Sequence, residues 1–399
     1  MSDLWDGLVG QTGIVGQFQM AARAAVKPTA TEQHSAMTQS WLVTGPPGSG
    51  RSTLARYFAA ALECADTDNP GCGVCRGCQL VLGGSHPDVV DFSTELVQIT
   101  IDEIRTLVQK SYQAPSSGRW RVIIIQDADR MNQTSSNVLL KALEEPPDNT
   151  VWVLCAPSPE DVLTTIRSRC RTVTMRTPSA EAIAKLLSSD PEHPVDYDTA
   201  LTAARVSQSH IGMARYLARN PEAMRRRRDT VLIPARIRSM TDAINAAHQL
   251  LDLATAQANA DTEARENAEK RRLAHLLGID PDSPDTSVKE RREFNTRLRE
   301  LTENQKRRAR RDLRDAIDRV LIDWQGLYRD VYIVQTGAKT PIINADVPET
   351  VQQIATESTP EITVARIDAI RTARERIARN TPAALALEAL ALELRPLPR

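Results

Sequence analysis

The hydrophobic positions of the first 176 residues fall into short runs separated by stretches with helical spacing. Five of the runs are rich in β-branched residues and predict buried parallel strands, at residues 41–44, 88–92, 121–126, 150–155 and 171–175. The stretches between them predict helices, at residues 52–63, 100–110 and 135–143. Thr100 and Glu103 have the spacing of a capping box, which marks the start of the second of these helices. The alternation predicts an α/β domain in which helices cover both faces of a parallel sheet.

Beyond Met175 the strand patterns largely disappear and helical spacing prevails. The expected fold class is therefore α/β followed by all-α, in three domains at residues 1–176, 177–225 and 226–399. The last domain contains a segment, residues 252–316, that is dense in mixed charge and has no extended apolar seam of its own. This segment is interpreted either as a protruding helical hairpin with its turn at residues 281–287 or as partly disordered.

The overall charge of the chain is close to neutral. Its 399 residues include 50 Lys and Arg against 51 Asp and Glu, so whole-chain charge gives no argument for nucleic-acid binding, although a local patch is still compatible with it. The basic run Arg225–Arg228 at the predicted domain boundary is interpreted as the solvated face of a helix. No apolar run approaches the roughly 20 residues of a membrane span, and the start of the chain lacks a secretory signal pattern. We therefore expect a cytoplasmic protein without a membrane partner.

Residues 45–54, GPPGSGRSTL, nearly match the phosphate-binding loop G-x-x-x-x-G-K-[ST]. The stretch follows a predicted strand and opens a predicted helix, as such a loop does. Glycines let backbone N–H groups face a phosphate, and Ser52 stands where a hydroxyl binds Mg²⁺. Arg51 replaces the lysine, and its planar guanidinium is not equivalent to an ammonium. The candidate nucleotide-binding residues of this degenerate loop are Gly45, Gly48, Gly50, Arg51, Ser52 and Thr53.

The acidic partner of the loop is weakened as well. A working ATPase of this kind ends a later strand with an Asp that orders Mg²⁺, often followed by a Glu that activates water. Here the strand residues 122–125 end in Gln126 and Asp127, so a neutral amide stands at the metal position and the next acid is one methylene too short. In the alternative frame Asp127 serves the metal and Ala128 takes the position of the base, and one function is lost in either frame. We expect binding of ATP or ADP to be weak or absent.

Four cysteines have the spacing of a metal site. Cys64, Cys72, Cys75 and Cys78 form C-x₇-C-x₂-C-x₂-C within 15 residues, and thiols of a cytosolic chain stay reduced. Four thiolates suit tetrahedral Zn²⁺, and a site closed by four protein ligands predicts a structural rather than a catalytic metal. An iron–sulfur cluster and idle thiols are the alternatives. Cys155 lies in a predicted strand and is interpreted as a small core residue.

Several motifs together carry a family resemblance. Four motifs follow one another along the chain: GPPGSGRST, the four-cysteine module, NVLLKALEEPP at residues 137–147 and TTIRSRC at residues 164–170. Their order and spacing resemble those of bacterial DNA polymerase III clamp-loader subunits of the AAA+ class. VGQ at residues 9–11 is similar to the entry motif of that family. The resemblance covers residues 1–225. The C-terminal third is similar only in being helical and in ending with a leucine-rich helix, and the charged segment 252–316 departs from the family.

The resemblance implies an AAA+ P-loop domain with an embedded zinc module at residues 64–78, then a helical lid and a helical collar domain. Two kinds of subunit share this plan: gamma/tau subunits hydrolyse ATP, whereas delta-prime subunits usually lack a complete catalytic set. This sequence is most similar to the second kind. Besides Arg51 and the Gln126–Asp127 pair, Ala156 and Pro157 stand where a polar γ-phosphate sensor falls, and Gly212 stands where the lid-domain sensor arginine aligns, with Arg215 close by.

The same resemblance implies a function. Arg169 of the Ser168-Arg169-Cys170 motif would act in trans as an arginine finger in the ATP site of a neighbouring subunit. The chain would be a non-hydrolysing stator whose partners are the delta and gamma/tau subunits, the sliding clamp and primer-template DNA.

Two other functions stay open on the residues alone. A gamma/tau-type ATPase with unusual residues would show MgATP turnover that depends on Arg51 and Asp127. A stand-alone zinc-containing DNA-binding module would bind DNA without partners, through a focused basic face. The balanced charge and the 4% of aromatic residues disfavour the second alternative, because readers of single strands tend to use aromatic stacking platforms.

Overall fold

The chain divides into two compact units, Met1–Arg219 and Asn220–Arg399. The computed structural model describes residues 4–26, 37–94, 98–190, 193–259, 266–267, 269–271, 273–274 and 288–396. None of the helices within these ranges is both long and apolar enough to cross a bilayer.

The first unit is built on a parallel sheet of five strands. The strands are β1 (Ser40–Thr44), β2 (Val89–Phe92), β3 (Arg121–Ile125), β4 (Thr150–Ala156) and β5 (Arg171–Thr174). Their order across the sheet is β2-β3-β4-β1-β5, and every neighbouring pair is parallel. The five predicted strands are confirmed, each to within one residue at either end. All residues of β1, β3 and β4 are buried, which explains why these strands read as continuous apolar runs rather than as alternating patterns.

Within the described residues of this unit, nine α-helices surround and extend the sheet. They are α1 (Thr12–Val26), α2 (Arg51–Leu62), α3 (Arg76–Leu82), α4 (Ile101–Ser111), α5 (Gln133–Glu144), α6 (Thr164–Arg167), α7 (Ala180–Ser188), α8 (Tyr197–Val206) and α9 (Ile211–Arg219). The capping box at the start of α4 is confirmed: the Thr100 hydroxyl accepts from the Glu103 N–H, and the Glu103 carboxylate accepts from the Thr100 N–H. The last three helices have a small core of their own, built on Ile183, Leu187 and alanines.

The two faces of the sheet support separate hydrophobic clusters. Trp41 and Val43 of β1 contribute to one cluster, in which Trp41 packs against Phe18 and Phe58. Leu42, the residue between them, belongs to the cluster on the other face. Because successive strand side chains point to opposite faces, one apolar strand serves both cores. The predicted α/β architecture with helices on both faces is confirmed.

The described residues of the second unit form helices joined by turns and loops, with no strand among them. Its helices are α10 (Pro221–Val231), α11 (Met240–Asn259), α12 (Val288–Thr336), α13 (Pro348–Glu357), α14 (Pro360–Ala378) and α15 (Ala383–Leu394). They share one core around the buried Trp324 and Tyr328, whose other members come from all six helices. The predicted change from an α/β to an all-α fold is confirmed.

The charged segment contains a helical arm. Described residues between 266 and 274 are helical and pack against α12. Gln305 donates to the carboxylate of Glu269 at 3.0 Å, and Arg308 forms an ion pair with the same carboxylate at 2.7 Å. This supports the interpretation of the segment as a helical hairpin. The predicted turn at residues 281–287 lies outside the described residues.

The basic run Arg225–Arg228 does not behave as a uniform solvated face. Helix α10 runs through it, so the predicted boundary between residues 225 and 226 falls inside a helix. Arg225, Arg226 and Arg228 are exposed, whereas Arg227 is buried. The interpretation of the run was therefore wrong for Arg227, because a helix that packs on a core turns one residue of such a run inward every third or fourth position.

Arg227 holds a buried polar cluster together. Its guanidinium donates to the side-chain oxygen of Asn344 at 2.6 Å and forms ion pairs with Asp323 at 3.4 Å and Asp346 at 3.6 Å. Both carboxylate oxygens of Asp346 are buried without a hydrogen bond to any described residue. Burial raises the pKa of Asp323 to about 6, against the opposing effect of Arg227.

Replacing Arg227 by leucine should lower the free energy of unfolding by about 3 kcal/mol, because two buried carboxylates lose their cation. The loss should be larger at pH 8 than at pH 5. A carboxyl group whose pKa is raised by folding stabilises the fold when it is protonated, and this contribution disappears as the pH rises through the folded-state pKa. Urea denaturation at the two pH values measures both effects. The neighbouring exposed Arg228→Leu is the control and should change stability by less than about 0.5 kcal/mol; equal effects of the two variants would contradict the assignment.

Candidate functional site

The degenerate phosphate loop lies where its motif requires, between β1 and α2. Gly48 has φ 80° and Gly50 has φ 94°, in the left-handed region that favours glycine, and Gly50 is the N-cap of α2. The Gly45 N–H donates to the carbonyl of Pro157 at 3.1 Å, which ties the loop to the end of β4. The loop has therefore kept the backbone shape of an anion-binding turn at a helix N-terminus.

A residue from the connection between α8 and α9 packs directly on this loop. A Cβ atom placed on Gly48 would lie 2.4 Å from the ring of His210 and 2.5 Å from its Cα. The N–H of Ile211 donates to the Gly48 carbonyl at 3.4 Å, and His210 accepts from the Met213 N–H at the start of α9. The start of α9 thus covers one side of the loop, and only glycine fits beneath it.

Arg51 binds its own loop. Its Nη1 donates to the carbonyl of Gly45 at 2.7 Å, so the guanidinium folds back across the turn. Burial lowers the pKa of Arg51, and the nearby acids Asp127, Asp129 and Asp161 counteract this effect only in part. A lysine at this position would extend toward the phosphates, whereas this arginine cross-links the two ends of the loop.

The hydroxyl expected to bind Mg²⁺ forms part of a side-chain network. Ser52 donates to Oε1 of Gln126 at 3.1 Å, and Gln126 Nε2 donates to Asp91 at 2.5 Å. Arg56 of α2 donates to the other oxygen of Asp91 at 2.5 Å. A neutral amide and an ion pair therefore occupy the place where a metal carboxylate would stand. This network satisfies both the hydroxyl and the carboxylate with protein groups alone, since Arg56 supplies the positive charge beside Asp91.

The remaining sensor and acid positions offer little to a nucleotide. Asp127 lies 3.9 Å from Arg130, and Asp129 is buried enough that its pKa is raised. Ala156 ends β4 with a buried methyl group where a polar sensor was expected. Gly212 is on the first turn of α9 and has no side chain with which to reach a phosphate.

The entry motif contributes a clamp between the start of the chain and the end of β5. Gln11 is buried, its Nε2 donates to the carbonyl of Arg176 at 2.6 Å, and its Oε1 accepts from the Arg176 N–H at 3.2 Å. A side-chain amide that bonds a backbone peptide in both directions fixes the local chain path.

The four cysteines converge on one point. Their Sγ atoms all lie within 4.8 Å of one another, with Cys64 Sγ 3.6 Å from Cys72 Sγ and 3.9 Å from Cys75 Sγ. Four thiolates at about 2.3 Å from one Zn²⁺ would stand about 3.8 Å apart. The donor set and its spacing therefore fit a structural zinc ion held by Cys64, Cys72, Cys75 and Cys78.

The backbone around the thiols supports the same interpretation. N–H groups of Ala65 and Cys78 each donate to Cys75 Sγ at 3.4 Å. Although burial opposes it, these hydrogen bonds lower the pKa of Cys75 to about 7, whereas burial raises the pKa of Cys64 and of Cys78. A Cβ on Gly77 would lie 2.2 Å from the carbonyl of Glu63, so the module can approach α2 only because this residue is glycine. The remaining described thiols lie elsewhere, and Cys155 is fully buried in β4, as predicted for a core residue.

Arg169 lies on a short exposed connection between α6 and β5. Its Nε donates to the Glu144 carboxylate at 2.6 Å, and its Nη1 donates to the carbonyl of Thr165 at 2.7 Å and to the Ser168 hydroxyl at 3.3 Å. Arg169 Nη2 contacts the same oxygen of Glu144, so two guanidinium nitrogens share one carboxylate oxygen in this ion pair. Glu144 is the last residue of α5 and belongs to the LEEPP sequence at residues 143–147, so two of the motifs singled out in the sequence meet here.

The parallel sheet separates Arg169 from the chain's own phosphate loop. Arg171, at the start of β5, pairs with Trp41 near the start of β1, whereas the loop begins at Gly45 after the end of β1. Four residues of strand correspond to about 13 Å. Arg169 precedes β5 and Gly45 follows β1, so the two lie at opposite ends of these neighbouring parallel strands. The arginine therefore cannot serve this chain's loop.

Sequence reasoning missed three residues of the site. Asp91 and Arg56 form the ion pair beside Ser52, and His210 covers Gly48. Asp91 was detectable: it falls near the carboxyl end of a predicted strand, and such ends meet at one edge of a parallel sheet. His210 carried no signal, because its contact depends on how α9 is placed.

Comparison with known proteins identifies relatives of the first unit. Residues 24–179 match the family described as DNA polymerase III, delta subunit. The chain is 35% identical over 170 residues to DNA polymerase III subunit delta' of Pseudomonas aeruginosa, covering 41% of this chain and 52% of that protein. It is 34% identical over 176 residues to subunit delta' of Escherichia coli, covering 43% and 52%. Subunit gamma/tau of Mycobacterium tuberculosis is 35% identical over 161 residues, covering 39% and 27%.

The chain thus spans about half the length of the curated delta' relatives that it matches. Among solved structures, a DNA polymerase III gamma subunit-related protein of Thermotoga maritima aligns over 94% of this chain and 98% of its own, with 17% identity and a TM-score of 0.42.

Proposed function

We propose that this chain, a relative of DNA polymerase III clamp-loader subunits that is most like delta-prime, is a non-hydrolysing stator of such a complex. In this role it completes the ATP site of a neighbouring subunit and does not turn over ATP itself. Its own loop serves as a structural turn. The proposal places the protein in the cytoplasm, with delta and gamma/tau subunits, the sliding clamp and primer-template DNA as partners.

The observation that carries the proposal is the network at the loop. The Ser52 hydroxyl is bonded to a neutral amide, Gln126, and that amide is bonded to an acid already paired with Arg56. Hydrolysis needs a hydroxyl and a carboxylate turned toward Mg²⁺. Here both are satisfied by protein groups, and Arg51 bonds the carbonyl of Gly45.

The second support comes from Arg169. Its guanidinium is exposed and is held by Glu144. It lies at the opposite end of the strands from the chain's own loop. These are the features of a group that acts on another molecule. An arginine finger stabilises the charge that develops on the transferred phosphoryl group. If this chain lost its own ATP hydrolysis, Arg169 could still act in the neighbouring subunit. This contribution gives a reason why the α/β domain is retained.

Substitutions in the chain's own loop should leave ATP turnover of a reconstituted complex within about twofold of the wild type, because transition-state stabilisation is supplied at other sites. Arg51→Ala and Ser52→Ala, each assembled with wild-type delta and gamma/tau partners, test this in a steady-state ATPase assay. Thermal melting of each variant shows whether the Arg51–Gly45 hydrogen bond contributes to the stability of the fold. A lower melting temperature with unchanged ATP turnover would indicate a purely structural role.

The matched control is the same loop change in the gamma/tau partner, which should abolish turnover. Loss of turnover with Arg51→Ala in this chain would instead favour a gamma/tau-type ATPase, the function suggested by its 35% identity to a gamma/tau subunit.

A further inference from the structure

The outer side of the helical arm carries a row of basic side chains. Arg292, Arg299, Lys306 and Arg310 of α12 are exposed, and they follow one another at intervals of seven or four residues. Residues three, four and seven apart lie on the same side of a helix. Together with two further residues of this side they define the basic face: Arg292, Arg299, Lys306, Arg307, Arg310 and Arg314.

The opposite side of the same helix is buried, which settles where the basic face points. Phe294, Gln305 and Arg308 are 7%, 3% and 6% exposed. Gln305 and Arg308 bond Glu269 of the other half of the arm. The hairpin thus uses its inner side for its own packing, and the basic face is turned to solvent from Arg292 to Arg310, whereas Arg314 at its end is half-buried.

The charges on the basic face are poorly compensated. Glu303 is the acidic residue among the described positions of that side, and it lies 3.0 Å from Lys306. It also interacts with Arg307 and Arg310, which together with Lys306 lower its pKa. Arg314 donates to a neutral group, the Asn380 side-chain oxygen, at 2.7 Å. A chain with a net charge of −1 therefore concentrates positive charge on one side of one helix.

The shape and chemistry of this face favour a duplex nucleic acid as the occupant. From Arg292 to Arg314 the helix rises about 33 Å, close to one turn of B-form DNA. No large hydrophobic side chain is exposed among the described residues from 292 to 314, so the face lacks the apolar anchors that a protein partner or a bilayer would use. The aromatic residue among the same described positions, Phe294, is buried, so no ring there is exposed for base stacking, which disfavours single strands.

We propose that the basic face of the arm binds the phosphate backbone of double-stranded DNA without sequence preference. The contact is made by this chain alone and does not require nucleotide. Each arginine or lysine neutralises a phosphate and releases a condensed counterion, so the binding depends steeply on salt. DNA binding by the basic face does not depend on the proposed function. Only its role in a clamp-loader complex, as the part of this chain that contacts the duplex, rests on that function.

The experiment is fluorescence anisotropy with the full chain and a labelled duplex of about 20 base pairs, two helical turns. Affinity is measured between about 50 and 200 mM salt. The test variant is Lys306→Gln/Arg307→Gln/Arg310→Gln. The control is Arg225→Gln/Arg226→Gln/Arg228→Gln, which removes the same charge from three exposed arginines of α10 in the same unit. Circular dichroism confirms that both variants keep their helix content.

The arm variant should weaken duplex binding roughly tenfold or more at low salt, and the slope of log K against log salt should fall by about 2 to 3. The control should bind within about twofold of the wild type, since its residues lie off the basic face. Equal losses in both variants, no loss in the arm variant, or no duplex binding by the wild-type chain would overturn the proposal. So would binding of a polyglutamate peptide in place of the duplex.

These outcomes are independent of the proposed stator role. The assay contains neither partner subunits nor ATP, so duplex binding can fail while the ATPase effect of Arg169 stands. The reverse result, with DNA binding intact and no effect of Arg169 on the complex, would reject the stator role and leave this inference unchanged.

Discussion

Replacing Arg169 by alanine is expected to lower ATP hydrolysis by the assembled complex by a factor of about 10³ or more, the range that arginine fingers supply where they have been measured in GTPases. The guanidinium stabilises the phosphoryl group in the transition state, not in the bound ATP. Its removal should therefore lower the rate of ATP hydrolysis much more than the affinity for ATP. Steady-state ATPase rates of the reconstituted complex, with nucleotide binding measured in parallel, separate the two effects.

The surroundings of Arg169 supply graded controls. Arg169→Lys keeps the charge but loses the planar fork, and should recover only part of the rate. Glu144→Gln removes the charged partner and leaves the arginine in place, so it should retain most of the activity. Arg167 lies two residues away, and its side chain donates to the carbonyl of Pro159 at 3.5 Å. Arg167→Ala should therefore have little effect on ATP hydrolysis.

Two results would contradict the assignment. One is an Arg169→Ala complex that assembles, as shown by gel filtration, and hydrolyses ATP at the wild-type rate. The other is a complex in which Arg167→Ala and Arg169→Ala are equally inactive, which would indicate a disturbed connection between α6 and β5 rather than a missing guanidinium.

The strands and the metal module were accessible from the sequence because local patterns determine them. A buried parallel strand must be apolar along its whole length, so β1, β3 and β4 stand out as continuous runs. The four thiols need close spacing and turn-forming residues between them, and these features are also local. The capping box of α4 is defined by two residues three apart.

Contacts between distant elements were not accessible. His210 meets Gly48 across 162 positions of sequence, and the contact depends on the orientation of α9. Arg227 is buried while its three neighbours are exposed, a difference set by which side of α10 faces the core. The roles of Gln126 and Asp91 follow from β2 and β3 being neighbours in the sheet, so that Gln126 can reach Asp91 as well as Ser52.

Loss of the metal should be the most destabilising change in the first unit. Replacing Cys72 by serine is expected to reduce the zinc content from about one ion per chain to near zero, since three thiolates bind this metal far more weakly than a closed set of four. Binding free energy of a structural zinc is folding free energy, about 10–16 kcal/mol in zinc-finger peptides. The module packs against α2 through the Gly77–Glu63 contact, so its unfolding should lower the melting temperature of the first unit.

Metal analysis by inductively coupled plasma mass spectrometry and thermal melting measure the two effects, and a strong chelator should reproduce them in the wild type. Cys170→Ser is the matched control, because Cys170 is half-buried like Cys72 but lies outside the cluster. It should keep its zinc, with only the modest loss of stability that a core substitution brings. Zinc well below one ion per wild-type chain purified under reducing conditions would reject the site. Visible absorbance with bound iron would instead support the iron–sulfur alternative.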